Sequence, residues 1–248
     1  MSYIKTASQI AHIRVSCQIA AEILQELIDC AKPGVTTLEI DHLAERLTKR
    51  HKVVPSFKGY LNYPHATCIS VNDEVVHGLP GKRTLKKGDV VGIDFGVRYR
   101  GYFSDVARTV AIGTVSADAQ RLIRVTKTSL KKAIEQVKPG RTIGDIGHAV
   151  QTYVEEAGMG VVRDLVGHGV GTAVHEPPAI PNYGSAGDGV QLVPGMVIAL
   201  EPMVTLGKHP VALKDDGWTF VTKDGSLAAH FEDTILVTER GHEVLTSL

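Results

Sequence analysis

The sequence predicts an α+β fold with internal pseudo-two-fold symmetry, in which helices cover one face of a curved sheet. The first observation is a repeat: Ala31-Lys-Pro-Gly34 and Val137-Lys-Pro-Gly140 each precede a short helical pattern. The second is a pair of matched acids. Leu85-Lys-Lys-Gly88 leads into Val90-Val-Gly-Ile-Asp94, and Leu192-Val-Pro-Gly195 leads into Val197-Ile-Ala-Leu-Glu201, so each acid stands six residues past its glycine. The third is that no linker or low-complexity run separates the copies. A single domain over residues 1–248, built from halves of about 1–110 and 111–248, is the expectation.

The elements follow in order. Ile10, Ile13, Cys17, Ala20, Leu24 and Leu27 recur at steps of three and four, one apolar stripe on a long first helix that Pro33-Gly34 stops. Thr36-Thr-Leu-Glu39 fits a capping box opening a second helix, with Leu43 and Leu47 inward. The second copy repeats the plan. A helix from about Ser116 carries Leu122, Val125, Leu130, Ala133 and Val137, and Thr142-Ile-Gly-Asp145 opens another with Ile146, Val150, Tyr153 and Val154 inside. Strands are expected near 67–71, 90–96, 102–110, 197–204, 218–222 and 231–237, where β-branched and aromatic residues dominate between Gly, Pro and Asp.

Composition narrows the function. Lys+Arg and Asp+Glu balance at 27 each, so no global field recruits DNA or an anionic membrane. No apolar run approaches the roughly 20 residues that cross a bilayer. The start, Met1-Ser-Tyr-Ile-Lys-Thr6, lacks a basic segment followed by an apolar core, so no secretory signal is expected. Three cysteines without CxxC spacing read as reduced thiols of a cytoplasmic protein. Eleven histidines point toward metal or acid–base chemistry.

Asp94, Asp105, His168, Glu201 and Glu232 stand in strand-like or glycine-rich settings. A lone acid in a strand ordinarily points to solvent from an edge. Four in the same kind of setting, two of them at matched places in the repeat, argue instead for convergence. Burying four bare carboxylates is prohibitive, whereas two divalent cations balance their charge and a neutral imidazole adds a ligand. An oxygen-rich set with one nitrogen suits Mn, Fe(II) or Co, and also admits Zn. His77 in Val-Val-His-Gly and His175 in Ala-Val-His-Glu occupy corresponding regions of the two halves, as uncharged donors beside the cations or as loop histidines.

These residues sit in stretches that carry a specific likeness: Pro55-Ser-Phe-Lys-Gly-Tyr60, Cys68-Ile-Ser-Val-Asn72, Glu74-Val-Val-His-Gly78, Gly88-Asp-Val-Val-Gly-Ile-Asp94, Gly167-His-Gly-Val-Gly171, Glu201-Pro-Met203, Asp216-Gly-Trp218 and Phe231-Glu232. Through them the chain resembles the type I methionine aminopeptidases over nearly its whole length. The resemblance implies the pita-bread fold and a dinuclear metal centre. Asp105 and Glu232 would bridge two ions, Asp94 would hold one, and His168 with Glu201 the other. His77 and His175 would contact the scissile amide, Glu201 would move protons, and Phe57, Tyr60, Tyr63, Cys68 and Trp218 would line the substrate pocket. Asp233 and Val174 depart from the pattern, where relatives often carry His and Leu or Phe; Phe57 is expected to offset the bulk lost at Val174.

The implied reaction is hydrolytic removal of the initiator methionine from peptides and nascent proteins with a small second residue, by a monomer. Ser2 of this chain meets that requirement itself. Lys82, Arg83, Lys86 and Lys87 are expected to serve a transient ribosome contact. The alternatives are a proline-directed aminopeptidase or dipeptidase, which would carry a long N-terminal domain, and a non-catalytic binding module at the ribosome, which would have lost ligands.

Overall fold

Four helices open on side-chain caps. In the computed structural model, which describes residues 4–247, α1 is Ala7–Cys30, α2 Thr37–His51, α3 Ala117–Glu135 and α4 Ile143–Glu156. Thr6, Thr36, Ser116 and Thr142 each accept a hydrogen bond from the backbone N–H three residues on, satisfying a donor the helix itself leaves free. Thr36 and Thr142 complete capping boxes with Glu39 and Asp145, as their spacing predicts; Thr6 does so with Gln9, a third box. Helix α1 ends at Cys30, before the Pro33-Gly34 turn, and α3 ends at Glu135, with Val137 buried just beyond it. Ser2 lies outside the described residues.

Each helix pair covers its own core. Leu24, Leu27, Ile40 and Leu47 of α1 and α2 pack on Ile69, Val91, Ile93 and Phe95. Leu122, Val125, Ile146, Val150 and Val154 of α3 and α4 pack on Ile198, Leu200, Ile235 and Val237. At about 25 cal/mol per Å² of apolar surface, these two clusters are the main source of stability.

Among the described residues every strand pairing is antiparallel, but the expected continuous sheet is cut into ladders. The first half carries Thr67–Val71, Val90–Phe95 and Val106–Ala111 in adjacent order. The second carries, in spatial order, Glu176–Ile180, Gly167–Gly169, Val197–Leu200, Asp233–Val237 and His242–Val244. The bridge Ala107↔Glu232 joins the two. Smaller ladders comprise Val54–Pro55, Val97–Tyr99 and Tyr102–Phe103; Gly160–Val161, Met203–Thr205 and Ala228–His230; and Glu74–Val76, Phe220–Thr222 and Val211–Leu213. Two of the cuts fall at candidate acids. The strand expected over 197–204 breaks at Glu201-Pro202, where proline has no N–H to give the ladder. The strand expected over 102–110 breaks at Ser104-Asp105. These interruptions free Asp105 and Glu201 from the pleat, whereas Asp94 stays within its strand.

Candidate metal centre

The five candidate ligands arrive from separate elements. Asp94 lies near the end of Val90–Phe95, opposite Cys68 on one neighbouring strand and Ala107 on the other. Asp105 immediately precedes Val106–Ala111. His168 is central in Gly167–Gly169. Its flanking glycines are required by close packing: a Cβ at Gly167 would lie 2.5 Å from the Ala199 carbonyl oxygen, and one at Gly169 would lie 2.4 Å from that of Pro177. Glu201 follows Val197–Leu200, and Glu232 forms the bridge to Ala107.

Their ligand atoms converge. Asp94, Asp105 and Glu232 form one group whose atoms lie within 4.8 Å of one another; His168, Glu201 and Glu232 form another; Asp105, His168 and His175 form a third. His168 Nε2 stands 3.4 Å from Glu201 Oε1 and 3.8 Å from Asp105 Oδ2. The other ring nitrogen, Nδ1, donates to the Gly169 carbonyl at 2.9 Å, which leaves the Nε2 lone pair facing the acids.

The electrostatics of the bare cluster are unfavourable. Burial, then repulsion from Asp94 and Glu201, pushes Asp105 well above the usual carboxylate range. Glu232 is raised by burial and by Asp105. Asp94 is pushed up to about 7, chiefly by burial. Burial acts to raise Glu201 too, but the imidazoles of His230 and His168 outweigh it and hold the carboxyl low. Asp94 Oδ1, Asp105 Oδ1 and Glu232 Oε1 are buried without a hydrogen-bond partner. Native proteins rarely leave such atoms unsatisfied, and divalent cations among them would supply the missing partners and the missing charge. The donor set therefore fits metal.

The acids floor a cavity of about 310 Å³. Phe57, Tyr60, Tyr63, Cys68, His77, His175 and Trp218 all line it with them, so the structure brings the candidate ligands and pocket residues together here. Tyr63 Oη donates to the Thr67 carbonyl at 3.0 Å, and its ring meets Trp218 edge-on at 5.0 Å. Asp216 holds the Trp218 turn by accepting from the backbone N–H groups of Trp218 and Thr219 at 2.9 and 2.8 Å. Burial pushes the Cys68 thiol well up, so that it acts as an apolar wall. His77 sits at a φ of 59°, a left-handed backbone that turns its ring edge-on to Phe220. Burial lowers the pKa of His77, and that of His175 falls to about 4 from burial and the neighbouring His168. His175 Nδ1 lies 3.1 Å from Tyr60 Oη, and its ring stands edge-on to His168 at 4.3 Å.

Comparison with known proteins agrees with this geometry. Residues 11–239 match the model of metallopeptidase family M24. The chain is 48% identical to a methionine aminopeptidase of Clostridium acetobutylicum over 99% of both chains. Its fold matches the crystal structure of methionine aminopeptidase from Thermotoga maritima with a TM-score of 0.98, at 47% identity and full coverage of both. The chain belongs to the methionine aminopeptidases of family M24. A prolidase from Pyrococcus horikoshii shares the pita-bread fold at a TM-score of 0.81 and 27% identity, but the chain spans only 63% of it.

Within this methionine aminopeptidase two departures find a setting. Val174 is buried with Phe57, Tyr63 and Cys68 in one apolar cluster, so Phe57 does enter the region where Val174 is small. Asp233 turns away from the cavity and pairs with Arg108. One residue escaped the sequence reading. His230 is buried, with Nε2 at 3.5 Å from Glu201 Oε2 and 4.0 Å from Glu232 Oε2. It stands two residues before Glu232 in an extended segment, on the same face, a spacing that by itself does not point to Glu201.

Proposed function

We propose that this metallopeptidase removes N-terminal methionine with two divalent cations, drawn from Mn, Fe(II), Co and Zn. Asp94, Asp105 and Glu232 would hold one, and His168, Glu201, Asp105 and Glu232 the other. The observation that carries the reading is the convergence of these side chains, with unpartnered buried oxygens, on the floor of a largely apolar cavity. The cations, when bound, activate water for attack on the peptide carbonyl near neutral pH.

The chain's own residues do the rest. Glu201 accepts the proton of the attacking water and returns it to the leaving amine. Burial keeps His175 neutral; with Tyr60 Oη, 3.1 Å away, as donor to Nδ1, Nε2 would carry the proton and serve as donor to the developing oxyanion. His77 provides a second neutral imidazole at the cavity wall. Phe57, Tyr63, Cys68 and Trp218 receive the unbranched thioether of methionine. A small second residue of the substrate completes the fit.

The enzyme is proposed to act as a cytoplasmic monomer, and no helix among the described residues is long and apolar enough to cross a membrane. Lys82, Arg83, Lys86 and Lys87 are all exposed, and we assign them a transient, salt-sensitive contact with the ribosome. The test of function is hydrolysis of Met-Ala-Ser against an Ala-Pro dipeptide, with and without chelator. Methionine release that chelation stops and Mn(II) restores is expected. Chelator-insensitive release, or preference for Ala-Pro, would contradict the proposal.

A further inference from the structure

Behind Glu232, away from the cavity, Arg108 spans the joint between the two halves. The joint is the bridge in which Glu232 N donates to the Ala107 carbonyl at 2.9 Å and Ala107 N to that of Glu232 at 3.3 Å. Side chains alternate along each segment, so Arg108 and Asp233 share the face opposite Glu232 and stand diagonally across the bridge. Arg108 Nη1 donates to the carbonyl oxygens of Ala107 and Glu232, at 2.9 and 2.5 Å, and Nη2 donates to Asp233 Oδ1 at 2.6 Å. The same Asp233 oxygen accepts from Thr246 Oγ1 at 2.7 Å, and Thr246 Oγ1 accepts from Thr234 N at 3.2 Å. Thr234 Oγ1 then donates to the Asp105 carbonyl at 2.7 Å and accepts from Asp105 N at 3.2 Å. One hydrogen-bonded chain thus runs from the backbone of Glu232 to that of Asp105.

We propose that Arg108 and Asp233 are positioning residues that fix the relative placement of Asp105 and Glu232, the two carboxylates both cations would share. The inference rests on the dinuclear reading above. Neither residue lines the cavity, so neither contacts substrate. Asp233 is nearly buried, and a buried acid is costly unless a cation and further donors satisfy it; Arg108 and Thr246 do so here. The planar guanidinium reaches two backbone carbonyls with one nitrogen and the carboxylate with the other. A lysine ammonium is a point charge and cannot hold that fork. Without the fork the seam keeps the backbone bonds of the bridge and the Thr109–His230 and Thr234–Asp105 contacts on either side of it, but loses the one charged side chain that ties the strand following Asp105 to both the Glu232 carbonyl and Asp233.

The test titrates metal-free protein with Co(II) alone, followed by visible absorption and calorimetry, in the unaltered protein and in Arg108→Met, Arg108→Lys and Asp233→Asn. Two equivalents are expected in the unaltered protein. In Arg108→Met the second should bind about 10–100-fold more weakly, the usual consequence of losing a group that orients a ligand. Arg108→Lys should behave like Arg108→Met, and Asp233→Asn should fall between. With Met-Ala-Ser, kcat should drop while KM stays near its original value. Uptake of both equivalents with unchanged affinity in the Arg108 variants, even alongside a lower melting temperature, would reduce the pair to scaffolding and overturn the proposal. Should Arg108→Met fail to fold, unchanged affinity in Asp233→Asn overturns it equally. Fewer than two equivalents in the unaltered protein would remove the dinuclear reading, and the positioning role with it.

Discussion

At the scale of single residues, Glu201 and His175 are proposed to carry the chemistry, and they differ in what their loss should do. Glu201→Gln keeps the shape but removes the base and one negative charge; kcat should fall by about 10²–10⁴-fold, the usual worth of a positioned base. Near-normal release of methionine in a metal-replete assay would remove Glu201 from the mechanism. His175→Ala should lower kcat by about 10²–10³-fold, as loss of an oxyanion donor does, while Co(II) affinity is retained. Equal losses in both would make it a ligand or a folding residue. The acids were legible in the sequence because a carboxylate inside Val-Val-Gly-Ile-Asp94 or Val-Ile-Ala-Leu-Glu201 conflicts with its apolar neighbours, and the conflict marks a site. His230 was not legible, because its partner Glu201 comes near only when Met203 and His230 fall opposite each other across two short strands. Arg108 was hidden for the same reason, since its acceptors Glu232 and Asp233 lie in the other half of the chain.

At the scale of elements, helices announce themselves through local signals. Thr36 with Glu39 and Thr142 with Asp145 bracket a helix start within four residues, and both boxes form. Strands here depend on distant partners. The glycine-rich Gly167–Gly169 is not among the expected strands, yet it is an inner strand between Glu176–Ile180 and Val197–Leu200, and glycine is what lets the neighbouring carbonyls approach. Gly169→Ala therefore forces backbone apart and should cost about 1–3 kcal/mol, as overpacking does. A urea unfolding midpoint unchanged by this substitution would contradict the packing argument. Activity should fall further than stability alone explains, because His168 moves with the strand.

At the scale of the whole molecule, two helix-backed cores meet at a seam, and the seam concentrates negative charge. In the metal-free protein Asp94 titrates at about 7, with Asp105 and Glu232 also raised, chiefly by burial. An unfolded carboxylate titrates near about 4, so between about pH 4 and about pH 7 the folded state binds more protons than the unfolded one. This contribution to stability is full below that window and is lost as pH rises through it. Carboxylates elsewhere that are held low, such as Asp224 at about 2, act in the opposite direction but are common to the metal-free and loaded forms. The rise in melting temperature on adding Mn(II) should therefore grow from about pH 5 to about pH 7.5, as cations replace protons. A gain independent of pH would place the metal elsewhere. The measurement that bears most directly on the account is anomalous diffraction at the manganese edge from crystals grown with excess Mn(II). Two peaks are predicted, one against Asp94 and one against His168 and Glu201, with Asp105 and Glu232 between them. Peaks absent from this cavity, or acids turned outward from it, would contradict the account.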